Sequence, residues 1–259
     1  MPKGSDDSAH AVLAEHVLEV VGTGQALVAA AWLPSGRRLL EIGCSTGYLT
    51  RHFLSRTERM FGLDRNARAL SRAKRRHPQV SFTCADAERL PFADRSFDTV
   101  VMLEVIEHTA SDSAAMSEVR RVLKVGGTLI LSTPHAGLFA FLDPYNVRKA
   151  IQRAFPAAYR LAAWLVRFES GQYTDNLARH RHYRLQELTA LLEPDFTIRS
   201  VYRGGLCLYP LMAAAISVVA RLWNSPAVLG WLVRLLNWDF HCRFGRLSYN
   251  LMVLAERKR

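Results

Sequence analysis

The chain has 259 residues, 49% of them hydrophobic and 22% charged, with 15 glycines and 10 prolines. That balance suits one large α/β domain, or a core with a modest insertion, and excludes a disordered, collagenous or disulfide-scaffold chain. The formal charge of +11 is lopsided: residues 1–135 carry 17 basic and 15 acidic side chains, whereas residues 136–259 carry 17 and 8. An excess of that kind acts as a local field on nucleic acid, an anionic membrane surface or an acidic substrate. Cys44, Cys84, Cys207 and Cys242 stand far apart with no metal-ligand spacing, which predicts a reduced compartment and no metal site. Met1 to Ser8 is polar, with no apolar signal-peptide core after it, so the expectation is a cytoplasmic protein.

In chain order, residues 9–33 read as helix, from Val12, Leu13, Val17, Val20 and Val21 at helical spacing, and Pro34-Ser-Gly36 stops it. Arg38 to Gly43 is a short apolar run ending in glycine, as a buried parallel strand does. Tyr48 to Ser55 reads as helix, Met60 to Asp64 as strand, and Asn66 to Arg76 as a basic-faced helix. Val80 to Cys84 and Phe97 to Leu103 read as strands, Ser113 to Leu123 as helix, and Thr128 to Thr133 as a strand introduced by Gly126-Gly127. Five strands with helices between them predict a right-handed βαβ series and a doubly wound sheet. After Pro134 the alternation stops until a helix over 184–193, a strand over 196–203 and a last strand over Leu247 to Ala255.

Ligands of such sheets bind beyond the carboxyl ends of the strands. Glu41 and Gly43 close the first strand, Asp64 closes the second, Asp86 follows the third and Glu104 follows the fourth. Gly43 and Gly47 allow a tight turn and close backbone approach, and a carboxylate at Asp64 can accept hydrogen bonds from two ribose hydroxyls. The stretches LLEIGCSTGYLTRHF (39–53), GLDRN (62–66), ADAERLPFADRSFDTVVMLEVIEH (85–108) and RRVLKVGGTLILSTP (120–134) resemble class I S-adenosylmethionine-dependent methyltransferases. They are similar to the branch of the quinone-biosynthesis (ubiquinone/menaquinone) methyltransferases, and HRHYRLQELTALLE (180–193) also resembles the family.

The resemblance implies a seven-stranded, mostly parallel, Rossmann-like α/β sheet with an antiparallel last strand and helical lid insertions. Its segments are a helical cap over 1–34, a cofactor-binding core over 35–135 and a basic amphipathic lid over 136–182. A core helix and strand over 183–204, an apolar helical insertion over 205–245 and a final strand over 246–259 follow. The cofactor implied is S-adenosyl-L-methionine. Glu41, Gly43, Cys44 and Gly47 would lie under its methionine and ribose, Asp64 on the ribose hydroxyls and Arg65 beside the adenine. Asp86 and Ala87 would meet the adenine edge, with Leu103 and Glu104 near the sulfonium. Ser45 stands where the family has a middle glycine, and Val125 where it has a proline before Gly126-Gly127.

Candidates for taking a proton from the acceptor are His108, His182, His180 and Tyr183; the last three form a polar group before a helix, and His135 follows Pro134 at the pocket mouth. Asp98 reads instead as a brace for the fourth strand. Arg153, Arg160 and Arg167 recur every seven residues over 147–168, with Pro156 starting or kinking the helix, which reads as a basic amphipathic element for a membrane surface or acidic ligand. Leu206 to Ala220 and Ala227 to Val233 are uncharged but too short to span a bilayer, and Trp223, Trp231 and Trp238 flank them as at a lipid–water boundary. The expected activity is methyl transfer to oxygen or carbon of a lipophilic acceptor (quinone, isoprenoid or lipid-linked), peripheral to an anionic membrane. The alternatives are a soluble acceptor, RNA, or cofactor binding without catalysis. Nucleic acid is disfavoured because Leu103-Glu-Val-Ile stands where base-amine enzymes carry Asn/Asp-Pro-Pro-aromatic, and oligomeric state is left open.

Overall fold

Strands and helices are interspersed along the computed structural model, which describes residues 23–165, 180–206 and 226–259. Helix α1 (Thr23–Trp32) leads to β1 (Gly36–Ile42), β2 (Thr57–Asp64), α2 (Ala67–Arg76) and β3 (Ser81–Cys84). Then come β4 (Phe97–Leu103), α3 (Asp112–Val122), β5 (Leu123–Pro134), α4 (Pro144–Ala154) and α5 (Pro156–Leu165). The remaining elements are α6 (Leu185–Leu192), β6 (Phe196–Gly204), α7 (Pro226–His241) and β7 (Asn250–Arg257). The seven strands form one sheet in the order β3-β2-β1-β4-β5-β7-β6. Pairings from β3 through β5 are parallel, and β7 runs antiparallel to β5 from Thr128 opposite Glu256 to Pro134 opposite Asn250. The predicted sheet, with its reversed last strand, is therefore the one observed.

Burial explains the parallel centre. Leu39 to Ile42 of β1 and Thr99 to Met102 of β4 are buried at every successive position, so both faces are covered. On one face Ala115, Met116, Val119 and Val122 of α3 pack with Val100, Met102, Leu129 and Leu131. Phe97 closes this layer edge-to-face with Phe61 and Phe92, ring centres 5.3 and 5.0 Å away. Strand order reverses between β1 and β4, which makes their carboxyl ends the switch point of the sheet.

The chain divides into two compact units. The sheet unit comprises Gln25–Ala136, Arg181–Arg203 and Asn250–Arg259; the helical unit comprises Gly137–His180 and Gly204–Tyr249 together with Met1–Gly24. Most of α1 belongs to the sheet unit. In the helical unit, Asp143 is buried and accepts from the Tyr249 hydroxyl at 2.6 Å, His180 Nδ1 at 2.9 Å and the Asn146 backbone at 2.9 Å. The predicted helix over 147–168 is two helices, α4 and α5, because Pro156 has no N–H to continue the first ladder and restrains Phe155 before it. Arg153 and Arg160 thus sit on different helices; Arg167, Cys207, Trp223 and nearly all of Leu206 to Ala220 lie outside the described residues, as does the predicted helix before Thr23. The predicted helix over 48–55 is instead two short 3-10 turns, Leu49–His52 and Leu54–Arg56. No helix among the described residues is long and apolar enough to cross a membrane.

Candidate functional site

The turn after β1 is built on its own backbone. The N–H groups of Gly43 and Cys44 both donate to the Leu63 carbonyl, at 2.7 and 3.1 Å, and Gly47 donates to the Cys44 carbonyl at 2.8 Å. Gly43, Ser45 and Gly47 all have positive φ (78°, 46° and 72°). A Cβ on Gly43 would stand 2.2 Å from Val105 Cγ2, so this position has room for nothing larger. Ser45 adopts the left-handed backbone that the family's glycine would, with its N–H held by Asp64 Oδ2 at 2.9 Å. Val125 is exposed at the start of β5, where its side chain alters only surface.

Asp64 closes β2 with both oxygens oriented: Oδ2 by Ser45 and Oδ1 by the Asn66 backbone at 2.8 Å. Each oxygen keeps a further lone pair for a ligand. Asn66 in turn caps α2, accepting from Arg68 and Ala69 at 3.1 Å. Beyond β3, Asp86 Oδ1 accepts from the Glu88 backbone at 2.9 Å and Oδ2 lies 3.6 Å from Arg65. Ala87 is buried beside them. At the end of β4, Leu103 is half-buried and Glu104 has φ 54°, a strained value for a non-glycine residue. Ser132 of β5 holds it there: the Glu104 N–H reaches the Ser132 carbonyl at 3.1 Å, and Ser132 Oγ donates to Glu104 Oε1 at 2.8 Å.

Glu41 is buried beneath the turn, accepting from Thr50 Oγ1 at 2.5 Å. Burial, partly offset by that hydrogen bond and reinforced by Asp64, raises its carboxyl to about 7. Cys44 is buried too, and its thiol is pushed far up by burial and then by Glu41 and Asp64, so it stays protonated and inert. Residues that sequence reading missed clamp the turn from α2: His77 Nε2 meets the Gly47 carbonyl at 2.8 Å, and Arg76 donates to Thr46 at both its carbonyl and its hydroxyl. Only the last-turn position of Arg76 on a basic helix hinted at this.

His108 ends a 3-10 turn, Ile106–His108, just after Glu104; its Nε2 is 3.9 Å from the buried Glu107, which also accepts from Thr133. His182 is half-buried. Tyr183 is buried in the core, donates to Asp112 at 3.3 Å and pairs its backbone with Pro134 and Ala136. Burial foremost pushes its phenol well above the ordinary range. Arg181, which sequence reading passed over, joins Tyr183 on Asp112 and donates to the Ile106 and Thr109 carbonyls. His180 belongs to the helical unit, on Asp143 and Asn146. His135 is buried rather than open to a pocket mouth. Asp98 is a brace as expected, accepting from the Arg38 backbone and Lys124.

Sheet order, the acidic switch-point edge and the glycine turn are those of the class I, Rossmann-like methyltransferase fold. Residues 40–131 match the family whose description is "Methyltransferase domain". A probable S-adenosylmethionine-dependent methyltransferase of Mycolicibacterium smegmatis is 33% identical over 120 residues, 44% of this chain and 47% of that one. A demethylmenaquinone methyltransferase of Renibacterium salmoninarum is 32% identical over 123 residues, 47% of this chain and 51% of that one. A malonyl-[acyl-carrier protein] O-methyltransferase of Serratia marcescens is 30% identical over 172 residues, 66% and 64%. In each case the chain spans less than two thirds of the relative. Among solved structures, the [4+2]-cyclase SpnF shares the fold, with a TM-score of 0.60 and 19% identity over 91% of this chain and 81% of that one.

S-adenosylmethionine is the cofactor of this family, and the residues present fit it. The oriented Asp64 carboxylate, the exposed Asp86 and the Gly43 position with no room for a side chain match the needs of a ribose, an adenine and a close-lying backbone.

Proposed function

We propose that the chain transfers a methyl group from S-adenosylmethionine to an oxygen or carbon of a lipophilic small molecule, a quinone, isoprenoid or lipid-linked acceptor, at the cytoplasmic face of a membrane. The observation that carries the reaction class is Asp64, with each carboxylate oxygen fixed by a backbone N–H at the switch point. The demethylmenaquinone relative and the apolar composition of residues 206–240 support the lipophilic acceptor.

When bound, the cofactor supplies a methyl on a sulfonium, already activated for displacement. The chain's part is alignment and exclusion of water. Asp64 would hold the ribose hydroxyls, Asp86 and Ala87 the adenine edge, and the Gly43–Gly47 turn the methionine end. Leu103 and Glu104 would line the sulfonium side. His108, which follows Glu104 out of the sheet, is the proposed base for the acceptor proton, and His182 is the second candidate. Tyr183 and His180 are read as braces, since Asp112 and Asp143 engage their polar atoms.

The test has two parts. Calorimetric titration with S-adenosylhomocysteine is expected to show binding by the parent chain and none by Asp64→Ala; parent-like affinity in that variant sinks the site. Incubation with methyl-labelled S-adenosylmethionine and a membrane lipid extract is expected to place label in the organic phase. Label confined to water-soluble products would move the acceptor to the soluble class, which the malonyl-carrier relative favours. His108→Gln should keep binding and slow turnover by about 100-fold or more, the usual worth of a general base.

A further inference from the structure

Among its described residues, the helical unit exposes many large apolar side chains. Of 13 exposed large apolar side chains among the described residues, 10 belong to it. Helix α7 is two-faced: Leu232, Leu236 and Phe240 are buried, while Trp231 and Trp238 are 54% and 62% exposed with the exposed Arg234 between them. Those three lie at i, i+3 and i+7, on one outward face. On α4, Val147 and Ile151 are exposed one turn apart, and Phe155, 65% exposed, follows at the next four-residue step. No described side chain of α4, or of α5 as far as Arg160, is buried. Monomeric proteins do not usually leave apolar area of this extent in water.

The charges on this unit identify what covers it. Arg153, Arg160, Arg234, Arg243 and Arg246 are exposed. The only acids of the unit among the described residues, Asp143 and Asp239, are both buried, with Asp239 accepting from the Leu206 backbone at 2.9 Å. Among the described residues of the unit, the outward charge is of one sign. A second copy of the chain would set arginine against arginine, and a nucleic acid would satisfy the arginines but leave Val147 and Ile151 in water. Tryptophan beside arginine on an apolar helix face suits the headgroup layer of an anionic bilayer, where the ring lies at the boundary and the guanidinium meets phosphate.

We propose that the outward face of α7, carrying Trp231, Arg234 and Trp238, docks on an anionic lipid bilayer, with both tryptophans entering the headgroup layer. The proposal deepens the reading of a membrane-presented acceptor and rests on it for its biological purpose, though the binding itself does not. The full chain should co-sediment with vesicles of phosphatidylglycerol in phosphatidylcholine and not with phosphatidylcholine alone. The double variant Trp231→Ser/Trp238→Ser should lose about tenfold or more in partition. Arg234→Glu should weaken binding to the anionic vesicles. Raising salt from about 0.1 M to about 1 M, which shortens the screening length from about 10 to about 3 Å, should do the same for the parent.

Equal partition of parent and tryptophan variant overturns the proposal, as does failure of the parent to bind anionic vesicles. A tryptophan-dependent dimer in sedimentation velocity with unchanged vesicle binding would overturn it in favour of self-association. S-adenosylhomocysteine titration of the same samples keeps the two readings apart. Retained binding in the variant shows a folded chain, whereas its loss in the parent would sink the methyltransferase reading and leave the vesicle result standing.

Discussion

Ser45 sits in a left-handed backbone between two glycines that share it. A side chain there costs about 1–2 kcal/mol relative to glycine, so Ser45→Gly is expected to raise stability by roughly 1 kcal/mol in a denaturant titration. Glu41 imposes a cost of another kind. Its folded-state carboxyl, raised by burial to about 7 from an ordinary 4.5, holds a proton that the unfolded chain has released between those values. Stability therefore falls as pH rises from about 4.5 to 7 and levels off above, the reverse of a salt-bridged carboxylate. Glu41→Gln should flatten that stretch of the profile when unfolding midpoints are measured across it, and an unchanged slope would show that some other group sets it.

At the scale of elements, Arg121 of α3 fastens the loop between β3 and β4 by donating to the Phe92 and Leu90 carbonyls, at 2.7 and 2.9 Å, and to Asp94 and Glu118. Glu118 accepts from the Leu90 backbone at 2.7 Å. Arg121→Ala should cost roughly 2 kcal/mol, the range for hydrogen bonds to charged groups, read by urea unfolding. Arg121 foremost holds the Glu118 carboxyl below its ordinary value, so its stabilisation is present above pH 4.5 and is lost as pH falls below it. That acid slope should shrink in Arg121→Ala. Such contacts mark the limit of what the sequence could reveal. Phe97–Leu103 was legible as a strand because its apolar run is punctuated at both ends, and the placing of Asp64, Gly43 and Gly47 because each lies beside the strand that carries it. Thr50 on Glu41 and His77 on Gly47 were not, since folding alone brings those partners together. The 3-10 turns after Tyr48 were missed for the same reason: Thr50 answers to a buried carboxylate, not to helical periodicity.

At the scale of the whole molecule, the sheet unit holds every proposed cofactor residue, while most of the exposed large apolar side chains among the described residues lie on the other unit. Excess positive charge in the second half of the chain was readable from composition; the burial of both described acids in the helical unit was not. Strand order carries a consequence for assembly. β6 is an edge strand whose one neighbour in the sheet is β7, and β7 follows it in the chain. A nascent chain thus offers β6 before the strand that can recruit it, and the parallel half from β3 to β5 can form while β6 waits. In pulsed hydrogen exchange during refolding, the β6 amides should gain protection together with those of β7 and after those of β1 and β4. Protection of β6 ahead of β7 would mean that an earlier partner shelters it, and that closure of the sheet is not a last, vectorial step.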